Sequence, residues 1–221
     1  MCGRYSLSAD PIELAEWFDL SEPPTLPPRY NVAPSQLVAV VGRKPDGMKR
    51  GLVLMSWGFV PRWAKDPKAG PRPINAQAET VASKAPFRDS FRERRCLIPT
   101  TGFFEWETRD GTKRPHYFRP TVAPVAFAGI WDIWKGPDAA PLFTCAILTV
   151  PANRVVRPYH ERMPAMLTAE DFDRWLEPTS PVSQLTELLQ PFPEEWLTDT
   201  AVSPLVNSPK HDSADCLTPA M

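Results

Sequence analysis

Twenty-eight prolines are spread along a chain of 221 residues. Proline has no backbone N–H and its ring clashes with the preceding helical turn, so it ends helices and is excluded from central strands. The prolines fall throughout the chain rather than in one tract, and apolar runs lie between them. This pattern predicts a folded, loop-rich chain of short elements, not a disordered one. The apolar fraction of 43% is ordinary for a globular protein. The length suits one domain with a full core. No apolar run approaches the ~20 residues that span a bilayer. The opening MCGRYSLSADPIELAEWF lacks a basic segment followed by an apolar one, which argues against a signal peptide. The expected location is the cytoplasm.

Ser8 to Leu20 reads as a helix, with Asp10 as cap, Pro11 at the first position and Ile12, Leu14, Trp17 and Phe18 as its apolar face. LVAVVG and LVLMSWGFV read as strands, and KPDGMK between them as a hairpin turn. PRWAKDPKAGPRPINA reads as a long loop and Glu79 to Phe91 as a short helix. RRCLIPTTGFFEWE, PHYFR, VAFAGIWDIW and LFTCAILTVPA read as strands. Thr168 to Leu176 reads as a helix opened by a Thr168–Asp171 capping pair, and Ser183 to Leu189 as another. Strands first and a mixture later predict an α+β fold, a mainly antiparallel sheet or open barrel with a few flanking helices. The whole chain, 1–221, is expected to be one domain, with 210–221 a loose tail. Neither GxGxxG nor GxxxxGK[ST] is present, and no βαβ alternation appears, so a Rossmann or P-loop nucleotide site is excluded.

Cys2, Cys96, Cys145 and Cys216 form no CxxC pair and the three histidines do not cluster with them, so neither zinc nor any other metal is expected. No cofactor is expected either. Cys96 and Cys145 lie in apolar runs and read as buried small hydrophobes. Net charge is −1, but it is unevenly spread. Residues 161–221 hold 11 acidic and 3 basic residues, a net of −8, and residues 1–160 hold 15 and 22, a net of +7. A positive first part suits either a phosphate-binding face or an unevenly charged solvated surface.

Met1-Cys2-Gly3-Arg4 carries distinctive chemistry. A small second residue permits removal of Met1, which leaves a thiol and an α-amine on adjacent carbons. Their ordinary pKa values, ~8.5 and ~8, give each a reactive fraction at neutral pH. Such a pair condenses with an aldehyde through the amine and closes on the same carbon through the thiol. Cysteine at position 2 is not specific by itself.

Further segments change its weight: Arg29-Tyr30-Asn31-Val32-Ala33-Pro34, Pro73-Ile74-Asn75-Ala76-Gln77-Ala78-Glu79-Thr80, Gly102-Phe103-Phe104-Glu105-Trp106 and Tyr159-His160-Glu161-Arg162-Met163-Pro164. With MCGRY they fall in the order and spacing of the SRAP family, the SOS-response-associated peptidase-like proteins that crosslink to abasic DNA. The chain resembles that family from Cys2 to Pro164, and more loosely through AVSPLVNSPKHDS at 201–213.

The resemblance implies roles for individual residues. Cys2 matches the crosslinking nucleophile, and Asn75 the residue that positions it. Glu105 matches the acid/base carboxylate at the amine, and His160 the residue that moves protons as the sugar ring opens and closes. Arg4, Asn31, Trp106 and Arg162 match positions lining the DNA or the site. Many relatives have arginine where this chain has Gln77, so one phosphate contact is either missing here or supplied from elsewhere, with Arg72 and Lys84 as the candidates. The partner implied is single-stranded DNA containing abasic sites, bound by a monomer that associates with the nucleoid when engaged. Peptidase-like removal of the residue before Cys2 and lyase chemistry on abasic DNA are also implied.

The residue chemistry agrees. A neutral imidazole suits proton transfers during ring opening. Glu105 lies between aromatics, where burial raises a carboxyl pKa. Strand alternation sends Phe103 and Glu105 to one face, Phe104 and Trp106 to the other. Arg29 and Arg62 are further candidates for phosphates, and Trp57, Trp63 and Phe59 for base stacking. Trp17, Trp131 and Trp175 read as core. Two other functions fit the same residues: an amide hydrolase with Cys2 as nucleophile and His160 as base, and a non-catalytic module that binds single strands.

Overall fold

A computed structural model describes residues 2–44, 49–136 and 140–220. Its strands are β1 Tyr5–Leu7, β2 Arg29–Val32, β3 Leu37–Arg43, β4 Arg50–Trp57, β5 Asn75–Gln77, β6 Arg95–Pro99, β7 Gly102–Arg109, β8 Thr112–Pro120, β9 Val125–Trp134, β10 Leu142–Pro151, β11 Arg162–Pro164, β12 Met166–Thr168 and β13 Leu197–Ala201. The helices are α1 Pro11–Trp17, α2 Ala78–Val81, α3 Arg88–Glu93, α4 Ala169–Leu176 and α5 Val182–Glu187. The fold is α+β and mainly antiparallel, as its strand-rich sequence predicts.

One sheet has the order β13-β8-β7-β1-β2 and is antiparallel throughout. In the other, β10, β4, β3, β6 and β9 pair in a ring, because β10 hydrogen-bonds to both β4 and β9. Closure removes the free edges of a five-stranded barrel. Strands β5 and β11 also pair with β10, and β12 with β9.

The main core lies where barrel and sheet meet. Tyr5 makes edge contacts with Trp57 and Phe127, each with ring centroids 5.5 Å apart. Phe103 and Phe118 stack at 5.1 Å. Fully burying each such ring contributes on the order of 1.5–3 kcal/mol. A second, smaller core gathers Phe104, Tyr117, Val202, Val206 and Cys216 on the outer face of the sheet.

Helix α1 carries the predicted cap. Asp10 accepts from the Ile12 amide at 2.8 Å, and Glu13 reaches back to the Asp10 amide. Leu14 and Phe18 are buried but Ile12 is 61% exposed. Positions 12 and 14 are roughly 200° apart on a helix, so the apolar face cannot include both. The segment Glu79 to Phe91 is two helices, not one, because Pro86 interrupts the amide ladder between α2 and α3. In α4 the Thr168 side chain makes no capping bond, and the helix is held by buried Phe172, Trp175 and Leu176. Arg95 lies beneath it and donates to the Trp175 and Phe91 carbonyls at 2.7 and 2.8 Å, so its charge meets the carbonyl ends of α4 and α3. The hairpin turn expected in KPDGMK falls largely on residues 45–48, outside the described residues; its flanking strands pair antiparallel, Arg43 opposite Arg50.

Residues 210–220 are not a loose tail. Asp212 accepts from the Tyr30 and Asn31 amides at 2.6 and 2.8 Å, and Cys216 is fully buried. These contacts satisfy backbone donors of β2, which is a sheet edge. Cys96 and Cys145 are buried as expected. Trp175 is fully buried, whereas Trp17 and Trp131 are only partly so.

At the start of β7, a Cβ on Gly102 would lie 2.5 Å from the Tyr117 ring. That ring is fixed by bonds from its hydroxyl to Ser6 Oγ and the Thr101 carbonyl, both 2.8 Å. Gly102→Ala should therefore destabilise the fold by ~1–3 kcal/mol through overpacking. Thermal denaturation should show a fall of roughly 2–4 °C for each kcal/mol lost. An unchanged Tm would show that Tyr117 can move aside.

Candidate active site

Strand β7 presents Glu105. Its alternation is as expected: Phe103 joins the main core, while Phe104 and Trp106 join the smaller one. Glu105 thus faces the main core and is 5% exposed. Burial pushes its carboxyl up to about 7, so acid and base forms coexist at neutral pH.

Cys2 reaches this carboxylate because the chain ahead of β1 runs antiparallel to β7. The Phe104 amide donates to the Arg4 carbonyl at 3.0 Å, and the Cys2 thiol faces the same carbonyl at 3.9 Å. Cys2 is fully buried. Burial raises its thiol pKa strongly, and the Glu105 charge adds to the effect. This corrects the expectation of a reactive thiolate fraction at neutral pH: a low-dielectric site beside a carboxylate disfavours a second negative charge.

Asn75 joins them from the barrel. The segment expected to be loop throughout ends in β5, which pairs parallel with β10, Asn75 opposite Ile147. From there Asn75 Nδ2 donates to the Cys2 carbonyl at 3.0 Å. Its buried Oδ1 has no hydrogen-bond partner among the described residues. An unsatisfied buried acceptor costs about 1–3 kcal/mol, so this oxygen favours an incoming N–H or O–H donor.

His160 arrives on a tight turn in which the Tyr159 and His160 amides both donate to the Val156 carbonyl, at 2.9 and 3.1 Å. His160 Nδ1 lies 2.9 Å from the Arg162 amide and 3.2 Å from the Arg162 carbonyl, so both backbone contacts fall on this nitrogen and fix the ring orientation. Burial lowers the His160 pKa, so the neutral form prevails at neutral pH. The Tyr159 ring lies 4.3 Å from that of His116, which is opposite Glu105 in the β7–β8 ladder. Directly opposed residues have Cβ atoms ~4.5–5.5 Å apart on one face, so the turn bearing His160 sits beside Glu105.

The six residues expected at DNA divide differently. Arg4 donates to Asn31 Oδ1 and the Val206 carbonyl, both at 2.7 Å, and lies 5.6 Å over the Trp106 ring. Trp106 donates to Asn207 Oδ1 at 2.7 Å. Asn31 is fully buried and donates to the Val206, Ser208 and His211 carbonyls, so it holds the C-terminal segment. Arg162 makes a two-pronged ion pair with Glu79, at 2.6 and 2.9 Å, which leaves it less free to meet a phosphate. Arg72 donates to Ser56 Oγ at 3.1 Å, and Lys84 is exposed. Arg29 and Arg62 are ion-paired with Asp212 and Asp132. Trp57 and Phe59 are fully buried core residues, not stacking surfaces; Trp63 is 63% exposed. The Glu79 pairing was not legible in the sequence, since its partner lies 83 residues away.

Among the described residues no cluster of three or more His, Cys, Asp or Glu has the arrangement of a metal site. No helix among them is long and apolar enough to cross a membrane.

"Abasic site processing protein YoqW" of Bacillus subtilis (strain 168) is 39% identical over 98% of this chain and 99% of its own length. "Abasic site processing protein HMCES" of Gallus gallus is 32% identical over 87% of this chain and 66% of its own. A crystal structure of a protein from Bacteroides thetaiotaomicron superposes with a TM-score of 0.86 at 25% identity, covering all of both chains. The family model for SOS response associated peptidase (SRAP) matches residues 1–209, and the chain belongs to that family.

Proposed function

We propose that this protein processes abasic sites in single-stranded DNA by forming a covalent link through Cys2. The observation that carries this reading is the buried triad of Cys2, Asn75 and Glu105, with a carboxyl that titrates at about 7 beside the residue that bears both nucleophiles. The 39% identity to a protein named for abasic site processing supports it.

The sequence of steps follows from the groups present. Removal of Met1 exposes the Cys2 α-amine. His160 takes the proton of the sugar C1 hydroxyl and, as the imidazolium, gives a proton to the ring oxygen as the C1–O bond breaks, so the ring opens and the imidazole returns neutral. The amine adds to the aldehyde carbon, and Glu105 donates a proton as water leaves, giving a Schiff base. The Cys2 sulfur then bonds to that carbon as the thiol proton passes to Glu105, the carboxylate left by the previous step. The product is a thiazolidine, with one water released. Because the thiol pKa is raised, the amine is the first nucleophile and sulfur follows. The same Schiff base opens a lyase route by β-elimination. Holding amine, thiol and aldehyde together supplies a high effective concentration.

Intact mass of the purified protein, alone and with an abasic oligonucleotide, tests the reading. The expected result is a chain lacking Met1 that gains one oligonucleotide minus water. A chain that hydrolyses amides but gains no oligonucleotide would support the hydrolase reading instead. Binding before the covalent step should weaken steeply with salt, because phosphate contacts release counterions. Arg72→Ala and Lys84→Ala should each flatten the salt dependence by about 0.7 in log–log slope, the value for one single-strand phosphate. Unchanged slopes in filter-binding titrations would remove both residues from the interface.

A further inference from the structure

Beside Glu105 lies a second group of ionisable side chains to which the steps above give no role. Asp199, on β13, is bonded through its two oxygens to two residues. His116 Nδ1 meets Oδ1 at 2.8 Å, and the Tyr159 hydroxyl donates to Oδ2. The His116 and Tyr159 rings pack at 4.3 Å, and Tyr159 also makes an edge contact with Phe118 at 5.3 Å. The Asp199 side chain is 24% exposed and that of His116 13%. Three elements distant in sequence therefore converge on one carboxylate.

Their position gives this convergence a consequence. His116 is opposite Glu105 across the β7–β8 ladder and opposite Ala201 across the β8–β13 ladder. Tyr159 is the residue before His160, and both amides share the Val156 carbonyl. Few backbone torsions separate the anchored phenol from the imidazole. Without the anchor, Tyr159 keeps its ring packing on His116 and Phe118, and the base of the turn stays fixed by buried Val156 and by Asn153 Oδ1, which accepts from the Val155 and Val156 amides at 3.1 Å, but the 159–160 end loses its one polar tie to the β7–β8 strand pair among the described residues.

We propose that Asp199 and Tyr159 are positioning residues for His160: the carboxylate, fastened to β8 through His116, grips the Tyr159 hydroxyl and so holds the His160 turn against the strand pair that carries Glu105. This rests on the proposed chemistry at Cys2, in which His160 serves only sugar ring opening and closing. The carboxylate does not touch the reacting atoms. Tyr159→Phe keeps the ring packing and removes only the anchor.

The test compares wild type with Tyr159→Phe and Asp199→Ala on two single strands. One carries a natural abasic deoxyribose, and the other an acyclic analogue with a free aldehyde that cannot form a ring. Single-turnover crosslinking by Tyr159→Phe should be about tenfold slower on the natural site and within twofold of wild type on the analogue, less than the ~10²–10⁴-fold of a lost general acid or base because the imidazole is misplaced and not removed. Asp199→Ala should behave alike. Equal losses on both substrates would indicate general damage to the fold and overturn the proposal, as would no loss on the natural site. A wild-type protein that crosslinks neither strand would instead overturn the chemistry at Cys2. For that case nitrogen NMR of the His160 ring gives a separate reading. Wild type should show one dominant tautomer, and Tyr159→Phe a mixture of the two. Identical His160 spectra would rule the anchor out.

Discussion

Cys2→Ser is expected to abolish the heat-stable adduct with an abasic strand while leaving a fraction that borohydride can trap. The amine survives in the serine variant, so the Schiff base still forms and can be reduced. A hydroxyl is a far poorer nucleophile than sulfur for closing the second ring, so the product stays open and reversible. Denaturing gels after heating, with and without borohydride, separate the two species. The burial of Cys2 sharpens the expectation. With the thiol pKa raised and Glu105 alongside, sulfur reacts only when its proton has somewhere to go. Cys2→Ala should match Cys2→Ser in both assays, because neither has the thiol. A full-strength, heat-resistant adduct in either variant would exclude sulfur from the linkage. Unaltered function in Cys2→Ala would favour a module that simply binds single strands.

Glu105→Gln and His160→Gln should each slow crosslinking at a natural abasic site, by about 10²–10⁴-fold for a lost general acid or base. The two losses should separate on the acyclic aldehyde. Ring opening is bypassed there, so His160→Gln should recover most of its rate and Glu105→Gln little of it. Equal rescue would sink this division of labour.

The pH dependence gives a second check. Glu105 titrates at about 7, and its protonated form is the donor when water leaves. The wild-type rate should fall as pH rises through about 7, and that inflection should vanish in Glu105→Gln. Stability moves in the same direction. A carboxyl raised by burial favours folding fully below its ordinary pKa of 4.5, and that contribution is lost as pH climbs through about 7. Urea midpoints across this range should decline less in Glu105→Gln than in wild type.

The chain's own order determined the short strands, the Asp10-capped helix and the alternation that turns Glu105 inward, while the candidates Cys2, Asn75, Glu105 and His160 came from the resemblance of their motifs to the SRAP family. The first three are local matters. Period-two patterning assigns a face, a cap needs three residues, and proline ends a helix where it stands. Tertiary structure alone decided what those residues meet. Asn75 reads as loop because three residues of strand have no detectable period; it is strand only because β10 offers a ladder more than 70 residues later. The barrel closes because β10 has partners on both sides, β4 and β9. Asn31 and Arg162 look like free polar groups in sequence, yet the first binds carbonyls of the C-terminal segment and the second pairs with Glu79. Ordering 210–220 depends on Asp212 finding the amides of β2, some 180 residues earlier. The convergence of His116, Tyr159 and Asp199 has the same origin. Side-chain partners and burial depend on long-range chain closure, and no local pattern encodes which distant carboxylate will meet a given phenol.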